Sequence, residues 1–223
     1  MFKKINKKYQ EEDHWLSVSD LMAGLMMVFL FISVALIRET MKEKDNMKDI
    51  AVTYQNTQVA IYNALNKEFE KELKKWGATI DAKTLSFTFN SPKTLFANNK
   101  SQMKKKYKKI LKDFFPRYLN IIMSFKSSVS EIRIEGHTSS SGTYFHNMKL
   151  SQDRTRSVLE YIYNLKSIKN NQQWIKDHVS AVGLSSSKLI YKNNIEDEEA
   201  SRRVGFRIIT NSDTQIRKIL EVN

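Results

Sequence analysis

The 223-residue chain predicts an α+β protein: a single transmembrane helix, a linker helix, then an α/β sandwich whose mixed sheet follows the order βαβαββ. Three observations predict it. Residues 21–37, LMAGLMMVFLFISVALI, carry no charge on any face. Residues 38–76 are polar except for an apolar seam at helical spacing. Beyond residue 84, short stretches of alternating apolar and polar residues interleave with segments of 3.6-residue period, as in a sheet covered by helices.

At 1.5 Å per residue, the uncharged run spans roughly 25 Å, and extension back to Leu16 gives roughly 33 Å, enough to cross a bilayer core. Trp15 stands where an interfacial aromatic belongs, and Arg38 closes the other end. A secretory leader is not expected, because the preceding segment is long and acidic and Arg38, Glu39 and Lys42 replace a small-residue cleavage site. Lys3, Lys4, Lys7 and Lys8 on one side match Arg38, Lys42, Lys44 and Lys48 on the other, so charge leaves the orientation open.

Asp20 is the acid of this segment. A carboxylate within a membrane helix costs up to about 2.5–3.5 kcal/mol at the centre and less near an end, so it faces a partner or water. Ser17, Asp20, Gly24 and Met27 share one face, and small residues beside an acid admit a second helix. A carboxylate that moves between dry and wetted surroundings can exchange its ion, the property a carrier needs. The blander reading makes Asp20 an interfacial or helix-capping residue beside Ser17 and Ser19.

The linker seam runs through Ile50, Tyr54, Ile61, Leu65, Phe69 and Trp76, with Gly77 as its stop. Leu85, Phe87 and Phe89 predict a strand ending at Asn90-Ser91-Pro92, and a helix over 101–124 is expected to bend or break at Pro116. A second strand covers Glu131 to Gly136. After a Ser-rich turn comes a helix over Asn147–Leu165 with Leu150, Val158, Leu159 and Ile162 as core candidates. Val179–Val182 and Val204–Ile209 read as further strands, and Thr214–Leu220 as a last helix. The divisions are 1–15, a tail; 16–37, the span; 38–77, the linker helix; 78–211, the sandwich; and 212–223, the C-terminal helix.

With 37 Lys and Arg against 24 Asp and Glu, the net charge of +13 favours an anionic partner. Residues 1–37 are balanced, so the excess lies beyond them. Lys104, Lys105, Lys106, Lys108 and Lys109 could attract nucleic acid, but Met103, Tyr107, Ile110, Leu111 and Phe114 between them mark a solvated helix face, and no direct nucleic-acid partner is expected. Without cysteine there is no disulfide framework, zinc ribbon, iron–sulfur centre or thiol nucleophile. Neither a nucleophile–base pair, a phosphate-cradling glycine loop nor a metal cluster is visible, so an enzyme, a metal and a cofactor are not expected.

The segment IEGHTSSSGTYFHNMKLSQDRTRSVLEYI from Ile134 and EEASRRVGFRI from Glu198 resemble the peptidoglycan-binding domain shared by outer-membrane protein A and the flagellar motor protein MotB. Gly136, His137, Thr138, Gly142, Asn147, Leu150, Ser151 and Arg154 fall at the family spacing, as do Ala200, Arg202, Arg203, Val204 and Phe206. The head, WLSVSDLMAGLMMVFLF, resembles the membrane helix of stator B subunits, and with the short linker and GHTSSSG turn the likeness is to those of Zorya anti-phage defence systems.

The resemblance implies a subunit of an ion-driven rotary motor in the inner membrane, with its N-terminus cytoplasmic and its C-terminal domain periplasmic. It implies a B-subunit homodimer inside a pentamer of a polytopic MotA-like (ZorA-like) subunit, and peptidoglycan as the anchor. Asp20 would carry the ion, with Ser17 and Gly24 in the ion path or helix packing. Protons are the first expectation, and the hydroxyls of Ser17 and Ser19 suit sodium equally. Thr138, Ser139, Asn147, Leu150, Ser151, Arg154 and Arg203 would form the peptidoglycan site, Arg154 clamping the carboxylate of diaminopimelate, although Asn147 and Arg203 could instead be scaffold. His137 is expected to be structural.

Two departures from the family stand out. Ser139 occupies the position of an Asp that pairs with the ligand, so either affinity falls, another acid substitutes, or the ligand form differs; Ser201 stands where Asn is usual. A flagellar stator subunit and a passive membrane-to-wall tether are the competing readings.

Overall fold

The computed structural model describes residues 2–90, 95–97 and 99–211, with side chains from Val18 onward. The hydroxyl of Ser17 and the helix expected over Thr214–Leu220 lie outside the described residues. The chain divides into two compact units between Ile50 and Ala51. Helix α1 (Phe2–Trp76) is continuous through the apolar run and the linker. In the N-terminal unit it is long and apolar enough to cross a membrane, and none of the apolar stretch is buried within the protein.

The C-terminal unit starts at Ala51, so it takes in residues 51–76 of the expected linker helix. Ile61, Leu65, Phe69 and Trp76 supply the reason: all four are core residues, whereas Ile50 and Tyr54 at the head of the seam are only partly buried. Gly77 ends the helix at φ +61°, a left-handed conformation in which a side chain would be strained.

Strands β1 (Ala78–Asp81) and β2 (Ser86–Phe89) form a hairpin whose turn is held by the Asp81 carboxylate, which accepts from the amides of Lys83 and Thr84 at 2.8 Å each. Helix α2 (Lys105–Ser124) leads to β3 (Val129–Gly136), and helix α3 (Tyr144–Tyr163) follows it. A 3-10 turn (Lys166–Asn171) and α4 (Gln172–His178) precede β4 (Val179–Gly183). A small hairpin of β5 (Tyr191–Lys192) and β6 (Ile195–Glu196), the single turn α5 (Glu198–Ser201) and β7 (Val204–Thr210) complete the described chain.

The main sheet has the order β1-β2-β7-β3-β4, with β3 and β4 parallel and the other neighbours antiparallel, a mixed sheet as expected. One face carries Phe87, Phe89, Ile132, Ile134, Phe206 and Ile208, all buried. The Phe114 ring of α2 lies 4.5 Å from that of Phe87, 5.2 Å from those of Phe89 and Phe206, and 5.3 Å from that of Phe69 on α1. These tilted and edge-on pairs add about 0.5–1.5 kcal/mol each to simple burial.

Pro116 does not break α2. A mid-helix proline costs about 3 kcal/mol, and the buried Phe114, Phe115, Tyr118 and Leu119 around it offset that. Arg117 beside it reaches Glu68 at 2.7 Å and Glu72 at 3.3 Å on α1, with its guanidinium 4.8 Å from the Phe69 ring centre. The lysines of residues 104–109 are exposed while Tyr107, Ile110 and Leu111 are buried, so the charge run is the outer face of a core helix.

Gly136 and Gly183 are register partners at the ends of β3 and β4. A Cβ on Gly183 would lie 2.5 Å from the Gln152 amide nitrogen, and one on Gly136 would lie 2.8 Å from the Ser151 carbonyl oxygen. Helix α3 therefore rests on bare backbone here, which fixes the height of the side chains it presents at its first turns.

Candidate functional site

A cavity of about 310 Å³ opens between the β3–α3 loop, the first turns of α3, the start of β7 and residues 95–97 and 99. Of the seven residues that the sequence proposes for wall binding, six line it: Thr138, Ser139, Asn147, Leu150, Arg154 and Arg203. Ser151 lies outside the lining and is fully buried. Its hydroxyl donates to the Met148 carbonyl at 2.9 Å and accepts from the Ser185 amide at 3.1 Å, so it ties α3 to the segment after β4. Leu150, also a core candidate, sits at the cavity and is only partly buried.

Arg154 is held from two sides. Its Nε donates to the Lys100 carbonyl at 3.1 Å, and its guanidinium lies 5.1 Å from the Phe96 ring centre. Burial, with Arg202 nearby, pulls its pKa down to about 10, and it stays protonated at neutral pH. A guanidinium fixed in this way offers its remaining edge to a planar carboxylate.

Asn147 shapes the loop. Buried to 3% exposure, its amide donates to the carbonyls of Ser139 at 3.2 Å and Ser141 at 2.9 Å. Arg203 donates to the Lys188 carbonyl from both terminal nitrogens at 3.1 Å and to the Ser201 carbonyl at 3.2 Å. Burial lowers its pKa, with Glu135 opposing. Asn147 and Arg203 thus both line the cavity and brace it.

The sequence reading did not single out Arg202, Phe96 or Asn99 as site residues, and all three line the cavity. Arg202 donates to the Ser139 hydroxyl at 3.4 Å and to Glu198 at 2.8 Å. The doubled arginine at 202–203 was the available signal; for residues 95–99, far from both motif blocks, there was none. Three guanidinium groups and no carboxylate line the cavity among the described residues. No three His, Asp or Glu side chains converge as a metal site among the described residues either.

His137 lies at the strand end, 5% exposed, with Nδ1 lacking a hydrogen-bond partner and Nε2 3.8 Å from Glu135. Burial lowers its pKa below 6.5, although Glu135 opposes. Burial alone would raise the Glu135 carboxyl, but His137 and Arg207 hold it below its ordinary value. The unfolded chain therefore takes up the histidine proton first, and folding stability falls as pH drops below about 6.5. The melting temperature of the detergent-solubilised protein should fall between pH 7 and pH 5, and His137→Gln should flatten that slope. An unchanged slope would contradict a buried neutral histidine.

In the N-terminal unit Asp20 is exposed on α1, and Gly24 follows one turn later on the same face. A Cβ at Gly24 would meet nothing within 4 Å. Small residues on a helix face allow the close approach of a second helix.

The OmpA family model matches residues 95–203. The chain is 49% identical to the Zorya protein ZorB of Escherichia coli (Crooks strain), over 98% of this chain and 97% of that relative. It is 28% identical to a Zorya protein ZorB of Escherichia coli O139:H28, over 92% and 84% of the two chains. Among solved structures, a MotB-like protein of Desulfovibrio vulgaris superposes with a TM-score of 0.50 at 19% identity, covering 70% of this chain and 96% of that one. That likeness establishes the sandwich fold, with a long apolar helix preceding it.

Proposed function

Because the chain belongs to the ZorB family of Zorya proteins, we propose that it is the wall-anchored B subunit of an ion-driven rotary motor in the inner membrane, serving anti-phage defence. One observation carries this reading: a single chain couples an apolar helix bearing Asp20 to a domain whose arginine-lined cavity suits the carboxylates of peptidoglycan stems.

Two copies would sit within a pentamer of a polytopic ZorA-like subunit, the N-terminus in the cytoplasm and the sandwich in the periplasm. Asp20 would take up an ion, a proton in the first instance, from one side and release it to the other. Neutral and charged forms favour different contacts with the surrounding helices, and each charge crossing the membrane delivers about 2.3 kcal/mol per 100 mV. Torque needs one part held still. Arg154 supplies the grip by clamping a stem-peptide carboxylate, while Asn147 holds the 139–141 loop in shape and Ser139 and Thr138 contribute neutral polar surface.

Loss of Arg154 tests the grip. A charged hydrogen bond of this kind is worth about 1.5–3 kcal/mol, so Arg154→Ala should weaken retention of the full-length protein on isolated sacculi by about tenfold or more. Arg154→Lys, which keeps the charge but not the fork, should recover only part of it. Retention equal to the parent in both variants would overturn the assignment.

A further inference from the structure

We infer that the cavity takes a wall-peptide carboxylate whose neighbouring amine is acylated, as it is in a cross-link, in preference to a stem with a free ammonium group. The inference rests on the wall-binding reading and specifies the ligand form.

The charges around the cavity are the ground for it. Arg154, Arg202 and Arg203 line it, and no acid does among the described residues. The carboxylates nearby are already engaged: Glu196 accepts from the amide of Ser140 at 3.0 Å and from its hydroxyl, and Glu198 pairs with Arg202 at 2.8 Å. Glu135 is held on the other side of His137, 3.8 Å from both His137 and Arg207. A ligand ammonium entering here would meet guanidinium groups, with no carboxylate lining the cavity among the described residues to receive it.

The neutral groups point the same way. Ser139, 4% exposed, accepts from Arg202, so its oxygen is partly committed to a cation. Thr138 also lines the cavity, and its buried hydroxyl has no hydrogen-bond partner. Uncharged partners of this kind match an amide, which forms when the stem amine is acylated and loses its charge. Cross-linked stems keep a carboxylate for Arg154 and present that amide beside it. The motor would then hold finished, cross-linked wall and pass over newly inserted single stems.

Co-sedimentation of the full-length protein with two forms of sacculi tests this, one untreated and one whose free amines have been acetylated. Binding to acetylated sacculi should exceed binding to untreated ones. Ser139→Asp supplies the absent carboxylate and should make binding sensitive to acetylation, with a loss of up to about fivefold, the scale of a partly exposed ion pair. If the parent protein binds acetylated sacculi no better than untreated ones, or if Ser139→Asp shows no new sensitivity, the ligand preference is overturned while wall binding stands. Failure to bind untreated sacculi at all would overturn the wall-binding reading itself, and the preference with it.

Discussion

Asp20→Asn is expected to abolish phage protection while leaving the amount of protein in the membrane, and its association with its polytopic partner, unchanged. The carboxamide keeps the size and most of the hydrogen bonding of the carboxylate but can neither ionise nor exchange an ion. Membrane insertion should not suffer, because removing a charge from a membrane helix relieves a cost of up to about 2.5–3.5 kcal/mol. The exposed face at Asp20 and Gly24 stays sterically the same, so helix packing has no reason to fail. A tether would tolerate the change, since nothing in a tether depends on the charge state of the span. Plaque counts on cells carrying the whole defence system, beside membrane blots and copurification, separate the two cases. Full protection by the variant would remove the motor.

Phe114→Ala is expected to be the most damaging single truncation in the C-terminal unit. Phe114 is fully buried and its ring contacts those of Phe69 and Trp76 on α1, Phe87 and Phe89 on β2, Tyr118 on α2 and Phe206 on β7. Removing it opens a cavity where α1, α2 and the sheet meet, and such truncations cost about 3–5 kcal/mol. Against a total stability of about 5–15 kcal/mol, that is a large share. The melting temperature should fall on the order of 10 °C, read by tryptophan fluorescence, to which Trp76 contributes with its ring 6.2 Å from that of Phe114. A shift of about 2 °C or less would mean that the cluster does not hold α1 to the sheet.

The elements that sequence pattern revealed are those whose side chains decide their own burial. Phe87 and Phe89, Ile132 and Ile134, and the 204–209 run alternate because one face of the sheet is core. Ile61, Leu65, Phe69 and Trp76 recur at helical spacing because one stripe of α1 meets that core. The elements that pattern missed are short and are held by contacts from elsewhere. Strand β1 has only four residues, with Ala78 and Ile80 on its inward side, too little alternation to detect. The β5–β6 hairpin leaves Tyr191 and Ile195 exposed and is held by the Asp197 amide on the Ile190 carbonyl and by Glu196 on Ser140. Helix α3 begins at Tyr144, three residues before the expected start, because Thr143 caps it by accepting from the His146 amide.

The site was legible where motif spacing reached and silent elsewhere. Thr138, Ser139, Asn147, Leu150, Arg154 and Arg203 converge on one cavity although two blocks some 50 residues apart supply them. Ser151 shares the helix and the motif but faces the strand ends, where Gly183 leaves room for its hydroxyl. Phe96 and the Lys100 carbonyl, which set the plane of Arg154, come from a segment whose role depends wholly on tertiary folding.

The most direct test of the account is ion flux through vesicles in which the full-length protein is reconstituted with its polytopic partner, comparing the parent with Asp20→Asn. The account predicts a voltage-driven flux in the parent and none above empty vesicles in the variant. Equal flux in both, or none in either with the complex intact, would contradict it.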